Sequence, residues 1–265
     1  MNGLLRPDLL AGRAALVTGG GSGIGLGIAR SLAAHGARVA LLGRRADRLV
    51  EAAACIERET GRTAIATPAD VREPEAVAAA VRTCLERFGR LDVLVNAAAG
   101  NFLAPAAAIS PNGFRAVMDI DARGTWHASR AVFDAWMRDH GGVILNVSAT
   151  LHHGATPMQA HASAAKAAVD SLTRSLALEW GPFGVRVVGL APGPVEDTEG
   201  LARLVPEPIR ERFRRVIPMR RFGRIDEIAT LATFLVSDAA ALVTGTTLVA
   251  DGGARLAGRT LGLES

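Results

Sequence analysis

The chain has 265 residues, no tyrosine, and among 30 basic side chains a single lysine, Lys166. The first absence excludes any mechanism in which a phenol serves as acid, base or nucleophile. The second makes Lys166 conspicuous, because arginine stands at every other basic position. Cysteine is scarce as well. Cys55 and Cys84 fall in stretches that read as helix, outside any metal-ligand spacing, so neither a disulfide framework nor a metal site is expected. Long apolar runs are missing too. Hydrophobic residues make up 49% of the chain, yet no run approaches the roughly 20 residues of a membrane span, and no membrane partner is expected. Residues Met1–Leu10 include Arg6, Pro7 and Asp8 and lack a secretory apolar stretch. The ending Leu261-Gly262-Leu263-Glu264-Ser265 does not spell a Ser-Lys-Leu address. These features point to a cytoplasmic protein.

The net charge is only +4. With no tyrosine and one lysine, little titrates between about pH 7 and 11, so the isoelectric point is high without strong charge. A modest surplus of arginine suits a polyanionic small molecule, and no nucleic-acid partner is expected.

What is present is a regular alternation. Strand-like runs occupy Ala14–Thr18, Arg38–Leu42, Thr63–Thr67, Val93–Asn96, Val143–Val147, Val185–Leu190 and Thr247–Ala250. Helical patterns lie between them, including Ile24–His35, Pro74–Phe88, Gly113–His140, Ala160–Trp180 and Asp226–Ser237. Continuous apolar strands joined by helical crossovers predict an α/β protein: one Rossmann-type domain with a doubly wound, parallel, seven-stranded sheet and helices on both faces. No repeat or linker divides residues 1–265. A cofactor half is expected at about 1–150 and a substrate and catalytic half at about 110–265.

Ligands in such sheets sit beyond the carboxyl ends of the strands. The first strand runs into Thr18-Gly19-Gly20-Gly21-Ser22-Gly23-Ile24-Gly25, where bare backbone and a helix N-terminus suit a pyrophosphate. The second ends at Leu42-Gly43-Arg44-Arg45. An acidic residue here would select the ribose 2′-OH of NAD, whereas Arg44 and Arg45 suit the 2′-phosphate of NADP(H). Asp70 and Val71 end the third strand. Asn96 ends the fourth, and the small residues Ala97 to Gly100 leave room for an adenosine against the backbone.

Together these features resemble the short-chain dehydrogenase/reductase family over nearly the whole chain. The glycine motif, the segment Asn96 to Gly100 and the motif Pro192-Gly193-Pro194 occur in the family's order. By that resemblance Pro192, Gly193, Pro194, Val195 and Thr198 cradle the nicotinamide, and Lys166 binds its ribose. The family's Tyr-x-x-x-Lys motif is broken. Ala162 stands four residues before Lys166, Ala149 takes the serine position between Ser148 and Thr150, and Asp121 takes the asparagine position.

The stretches from Asn101 through Asp121 and from His161 to Asp170 are similar to the peroxisomal-type 2,4-dienoyl-CoA reductases, a branch without the tyrosine. This implies NADPH-dependent reduction of a 2,4-dienoyl-CoA to a trans-3-enoyl-CoA in the β-oxidation of unsaturated fatty acids. Asp121 would orient a proton-donating water and Lys166 would stabilise negative charge. The resemblance places acyl-CoA contacts at Arg44, Arg72, Phe102, Ser110, Asn112 and Arg203, and implies a homotetramer. Ser148 and Thr150 are alternative partners of the thioester. His161 is readable as an acid or as a solvated or capping side chain. The arginines at 210, 212, 214, 215, 220, 221 and 224 form a basic cluster around Pro206, Pro208 and Pro218, readable as a mobile segment or a solvated helix face. Two other functions stay open: a reductase of another enone, enoyl or carbonyl substrate with a substitute acid, and a non-catalytic NADP(H)-binding protein.

Overall fold

Alternate residues of the first strand serve two different cores. In the computed structural model, which describes residues 5–205 and 207–259, strand β1 (Ala14–Thr18) is buried along its whole length. Ala15 and Val17 join one apolar cluster, and Ala14 and Leu16 join another on the opposite face. Successive side chains of a strand point to opposite faces, so a wholly apolar strand needs cover on both sides.

That cover comes from helices in chain order. Between β1 and β2 (Arg38–Gly43) runs α1 (Gly23–Ala34), and between β2 and β3 (Ala64–Pro68) runs α2 (Ala46–Thr60). Helix α3 (Pro74–Phe88) leads to β4 (Val93–Asn96). The chain then passes through α4 (Pro111–Met118), α5 (Gly124–Val132) and α6 (Arg138–His140) to β5 (Gly142–Val147). Helix α7 (Ala160–Trp180) precedes β6 (Val185–Pro192). Three helices, α8 (Glu199–Leu204), α9 (Glu207–Val216) and α10 (Ile225–Val236), come before β7 (Thr247–Ala250). The strands pair in parallel in the order β3-β2-β1-β4-β5-β6-β7. Ile28 and Leu32 of α1, Ile56 of α2 and Leu235 of α10 fill one side. Val81 of α3, Val132 of α5 and Leu176 of α7 fill the other. No helix among the described residues is long and apolar enough to cross a membrane.

The strand order reverses between β1 and β4, because β1 is followed by α1 on one face and β4 by α5 on the other. This opens a crevice at the carboxyl ends of those strands.

One detail departs from the sequence reading, and two others fill it in. The helix expected over Gly113–His140 begins at Pro111 and is interrupted by two π-helical turns, Asp119–Arg123 and Phe133–Met137. Helix α2 contains Cys55, in a stretch that the sequence reads as helix. The basic segment after Thr198 carries α8 and α9, with Pro208 inside the first turn of α9, where proline costs no hydrogen bond. Pro206, residues 1–4 and residues 260–265 lie outside the described residues.

Candidate active site

At the first βα turn the glycines are required by space. A Cβ on Gly19 would lie 2.7 Å from the Ala97 carbonyl oxygen, and Gly19 has φ +67. A Cβ on Gly25 would lie 2.4 Å from the Gly19 oxygen. These two positions let the turn fold tightly against the loop after β4. At Gly23, by contrast, a Cβ would meet no atom within 4 Å, so the rim faces open space. Ser22 caps α1 without a side-chain hydrogen bond, and the first turn of α1 holds no acidic residue. The free amides of that turn and its positive dipole end are therefore available to a phosphate. Gly20, Gly21 and Ile24 complete the turn. The arrangement fits a dinucleotide.

At the end of β2, Arg44 and Arg45 are exposed and engage no carboxylate at ion-pair distance among the described residues. Arg72 instead closes on Asp70, with Nη2 2.6 Å from Oδ2. This hydrogen bond, aided by the positive charge of Arg44, holds the Asp70 carboxyl below its ordinary range. Val71 is buried, and its carbonyl accepts from His127 Nδ1 at 2.9 Å.

Asn96 turns away from the crevice. Its amide donates to Ser129 Oγ at 3.0 Å and to Asn146 Oδ1 at 2.9 Å, and Asn146 donates to Thr173 Oγ1 at 2.9 Å. This buried chain ties β4, β5, α5 and α7 together beneath the site. Thr18 Oγ1 accepts the amides of Ala97 and Ala98, each at 3.1 Å, and so holds the loop against the glycine turn. The sequence reading missed Thr18, Ser129, Asn146 and Thr173. Polar side chains at the last positions of apolar strands, as Thr18 is, were the available signal.

Asp121 sits in the first π turn and is 1% exposed, while Lys166 on α7 is 8% exposed. Lys166 Nζ lies 3.1 Å from Asp121 Oδ2 and donates to the Val147 carbonyl at 3.1 Å. The other carboxylate oxygen, Oδ1, accepts the Gly100 amide at 2.7 Å. The structure thus brings together the two residues expected to do chemistry. Ala162, at the tyrosine position, is packed with Val117, Ala165 and Phe102. Ser148 Oγ is buried without a hydrogen-bond partner among the described residues.

His161 is neither solvated nor capping. It is 0% exposed, its ring lies against Phe102 at a centroid distance of 4.1 Å and an interplanar angle of 33°, and both ring nitrogens lack partners among the described residues. Ser110 is the N-cap of α4, accepting the Gly113 amide at 3.1 Å, and Asn112 accepts from Arg115 at 2.9 Å. Arg203 lies exposed on α8, which Arg48 of α2 tethers through Glu199 at 2.8 Å.

The motif after β6 is pinned by backbone. The Gly193 amide donates to Ala250 at 3.0 Å, the Gly223 amide donates to Pro194 at 2.9 Å, and Val195 pairs with Gly223. Thr198 caps α8 and donates to the Val195 carbonyl at 2.9 Å. Much of the basic cluster is neutralised locally. Arg214 pairs with Glu196 at 3.3 Å, Arg221 with Glu227 at 2.7 Å and Arg224 with Asp226 at 2.9 Å.

His152, His153 and Asp170 bring ligand-type atoms within 4.8 Å of one another. His152 Nε2 is hydrogen-bonded to Asp170 Oδ2 at 2.8 Å, and Thr247 Oγ1 donates to Asp170 Oδ1 at 3.1 Å. The cluster ties the loop after β5 to α7 and β7.

A family model described as enoyl-(acyl carrier protein) reductase matches residues 19–255. A peroxisomal 2,4-dienoyl-CoA reductase of Pongo abelii is 48% identical over 254 residues, 96% of this chain and 87% of the relative. One from Arabidopsis thaliana is 47% identical, covering 96% of this chain and 88% of the relative. The crystal structure of a gluconate 5-dehydrogenase from Burkholderia cenocepacia J2315, in complex with NADP and tartrate, superposes with a TM-score of 0.87 at 33% identity. It covers 94% of this chain and 97% of that one. The protein is therefore an oxidoreductase with a nicotinamide dinucleotide cofactor. The chain belongs to the short-chain dehydrogenase/reductase family, in the branch that holds these dienoyl-CoA reductases.

Proposed function

We propose that this protein reduces 2,4-dienoyl-CoA thioesters to trans-3-enoyl-CoA with NADPH. The observation that carries the reading is the buried Asp121–Lys166 pair in a chain without tyrosine. A carbonyl reductase must protonate an alkoxide, the task of the family's phenol. A conjugated thioester makes a different demand. Reduction at the far end of the diene places negative charge on the thioester oxygen, and the proton goes to the α-carbon. The protein then has to hold an oxyanion and guide one proton to carbon.

When bound, the nicotinamide supplies the hydride. The amides at the start of α1 hold the pyrophosphate, and Arg44 and Arg45 pair with the 2′-phosphate, which is why we assign NADPH rather than NADH. Lys166 binds the nicotinamide ribose and contributes a fixed positive charge beside the thioester. Asp121, anchored by the Gly100 amide, accepts a hydrogen bond from the water that protonates the α-carbon. Arg72 and Arg203 contact the CoA phosphates, with Phe102, Ser110 and Asn112 along the acyl path.

The same reading makes the assembly a homotetramer. In its support, Leu178 is 81% exposed and Leu242 98% exposed, and Trp126, Leu172 and Ala168 line a shallow apolar groove between α5 and α7. Such surface suits a second copy.

The decisive experiment is single-turnover mixing of enzyme, NADPH and 2,4-hexadienoyl-CoA, following loss of both chromophores. Parallel loss with formation of the 3-enoyl product is expected. No dienoyl turnover alongside reduction of simple enoyl-CoAs, enones or ketones would overturn the assignment.

A further inference from the structure

His161 is the most isolated polar group in the site. Its ring is wholly buried, and neither nitrogen meets a hydrogen-bond donor or acceptor among the described residues. A buried polar group left unpaired costs stability, and an apolar side chain of similar shape would avoid the cost. Packing alone therefore does not account for an imidazole here, since a phenyl ring would lie against Phe102 as well.

Its surroundings point to the substrate. The loop after β4 is joined almost residue by residue to the two sides of the site. Gly100 donates to Asp121 at 2.7 Å, Asn101 Nδ2 donates to Gln159 Oε1 at 2.6 Å, the Phe102 ring lies tilted against His161, and the Ala104 amide donates to the Met158 carbonyl at 3.0 Å. One short loop thus spans from the acid–ammonium pair to the entrance of α7, where His161 directly precedes the alanine at the tyrosine position. Met158 holds φ +62, a left-handed conformation that is costly for a non-glycine residue and recurs at functional sites. Asn101 Oδ1, on the loop after β4, and Ser148 Oγ, on the loop after β5, are also buried and unpartnered. Asn101 is bonded to Gln159 just before α7 and Ser148 begins the loop that leads into α7, while Arg30 Nε, Asn96 Oδ1, His152 Nδ1 and His153 Nε2 are further buried atoms without a hydrogen-bond partner among the described residues.

We infer that His161 is a substrate-contacting residue whose ring N–H donates a hydrogen bond to the thioester oxygen. It supplies the neutral donor that the missing phenol would otherwise provide. Charge grows on that oxygen during reduction, so the bond is stronger in the transition state than in the bound substrate, and its loss falls on turnover. No atom is transferred by His161 in this role. The inference rests on the dienoyl-CoA reading above.

The test uses the full chain with 2,4-hexadienoyl-CoA. Wild-type turnover is measured first, and its failure would count against the proposed function, not against His161. His161→Phe keeps the contact with Phe102 and removes both unpaired nitrogens. Its melting temperature is expected to stay level or rise, and NADPH binding, followed by fluorescence, to stay unchanged. Its kcat is expected to fall about 100-fold, the scale of losing one oxyanion donor. His161→Gln, which retains an N–H donor, should recover part of the rate, and His161→Leu covers the case in which the phenyl ring does not fit. Wild-type kcat in His161→Phe would overturn the inference. So would joint loss of melting temperature, cofactor binding and rate in all three variants, which would mark His161 as a packing residue.

Discussion

Asp121 Oδ2 and Lys166 Nζ lie 3.1 Å apart, on different helices and with both side chains out of solvent. The carboxylate is further held by a backbone amide of the β4 loop and the ammonium by a carbonyl of β5. Each charge thus has a second partner, the condition under which a buried ion pair is tolerated. Asp121 lies within the π turn Asp119–Arg123. One extra residue rotates the helix by about 100°, and such turns recur where function needs a side chain aimed off the regular stripe.

Asp121→Asn preserves size and keeps an oxygen for the Gly100 amide. It leaves the buried Lys166 ammonium without its counter-charge, so the melting temperature should fall as well, while kcat drops about 100-fold or more, the range of general acid–base effects. Lys166→Met instead leaves Asp121 as an unpaired buried charge. A loss of about 3–5 kcal/mol in stability is expected by denaturant titration, together with loss of turnover.

Removing Arg44 and Arg45 as the double alanine variant should raise KM for NADPH roughly 10- to 100-fold, since hydrogen bonds to a charged group are strong. KM for NADH should change little. Comparing the two cofactors under steady-state conditions checks this, and equal losses would assign these arginines to something other than the 2′-phosphate.

Gly25→Ala would bring a methyl group to 2.4 Å from the Gly19 oxygen. The turn must open, at a cost of about 1–3 kcal/mol. Weakened cofactor binding, measured by fluorescence titration, is expected to accompany a lowered melting temperature.

Cys84 of α3 is buried in the apolar core, and that burial pushes its thiol from 9.0 up to about 12. Because the folded value is raised, the group's contribution to stability is complete below about pH 9 and declines as pH rises toward 12. Thermal melts across that range should show the decline. A thiol reagent at pH 8 should modify Cys55, which is partly exposed, and reach Cys84 only after denaturation.

Much of the fold was legible because its signals are local. Apolar runs of four to eight residues separated by helical stretches permit little other than a covered parallel sheet, and the strands lie within a residue or two of where the sequence puts them. Helix α2 follows the same rule, burying Leu49, Ala52, Ala53 and Ile56 along one helical face. The π turns were invisible: Asp119–Arg123 has an ordinary helical composition, and it packs against the loop after β4 and α7. Asn96 shows the same limit. The sequence marks it as part of the cofactor rim, but its amide faces Asn146 and Ser129, residues 50 and 33 positions away.

By itself, the sequence determined the chemistry available: a glycine turn for phosphates, arginines where an NAD site has an acid, one ammonium, and no phenol. Those are statements about which atoms exist, and composition and spacing decide them. Only the tertiary structure decided which atoms meet. It paired Asp121 with Lys166, turned Asn96 inward and sealed His161 away from water without a partner. Each of those outcomes depends on burial and on contacts between distant segments, which no local pattern of residues encodes.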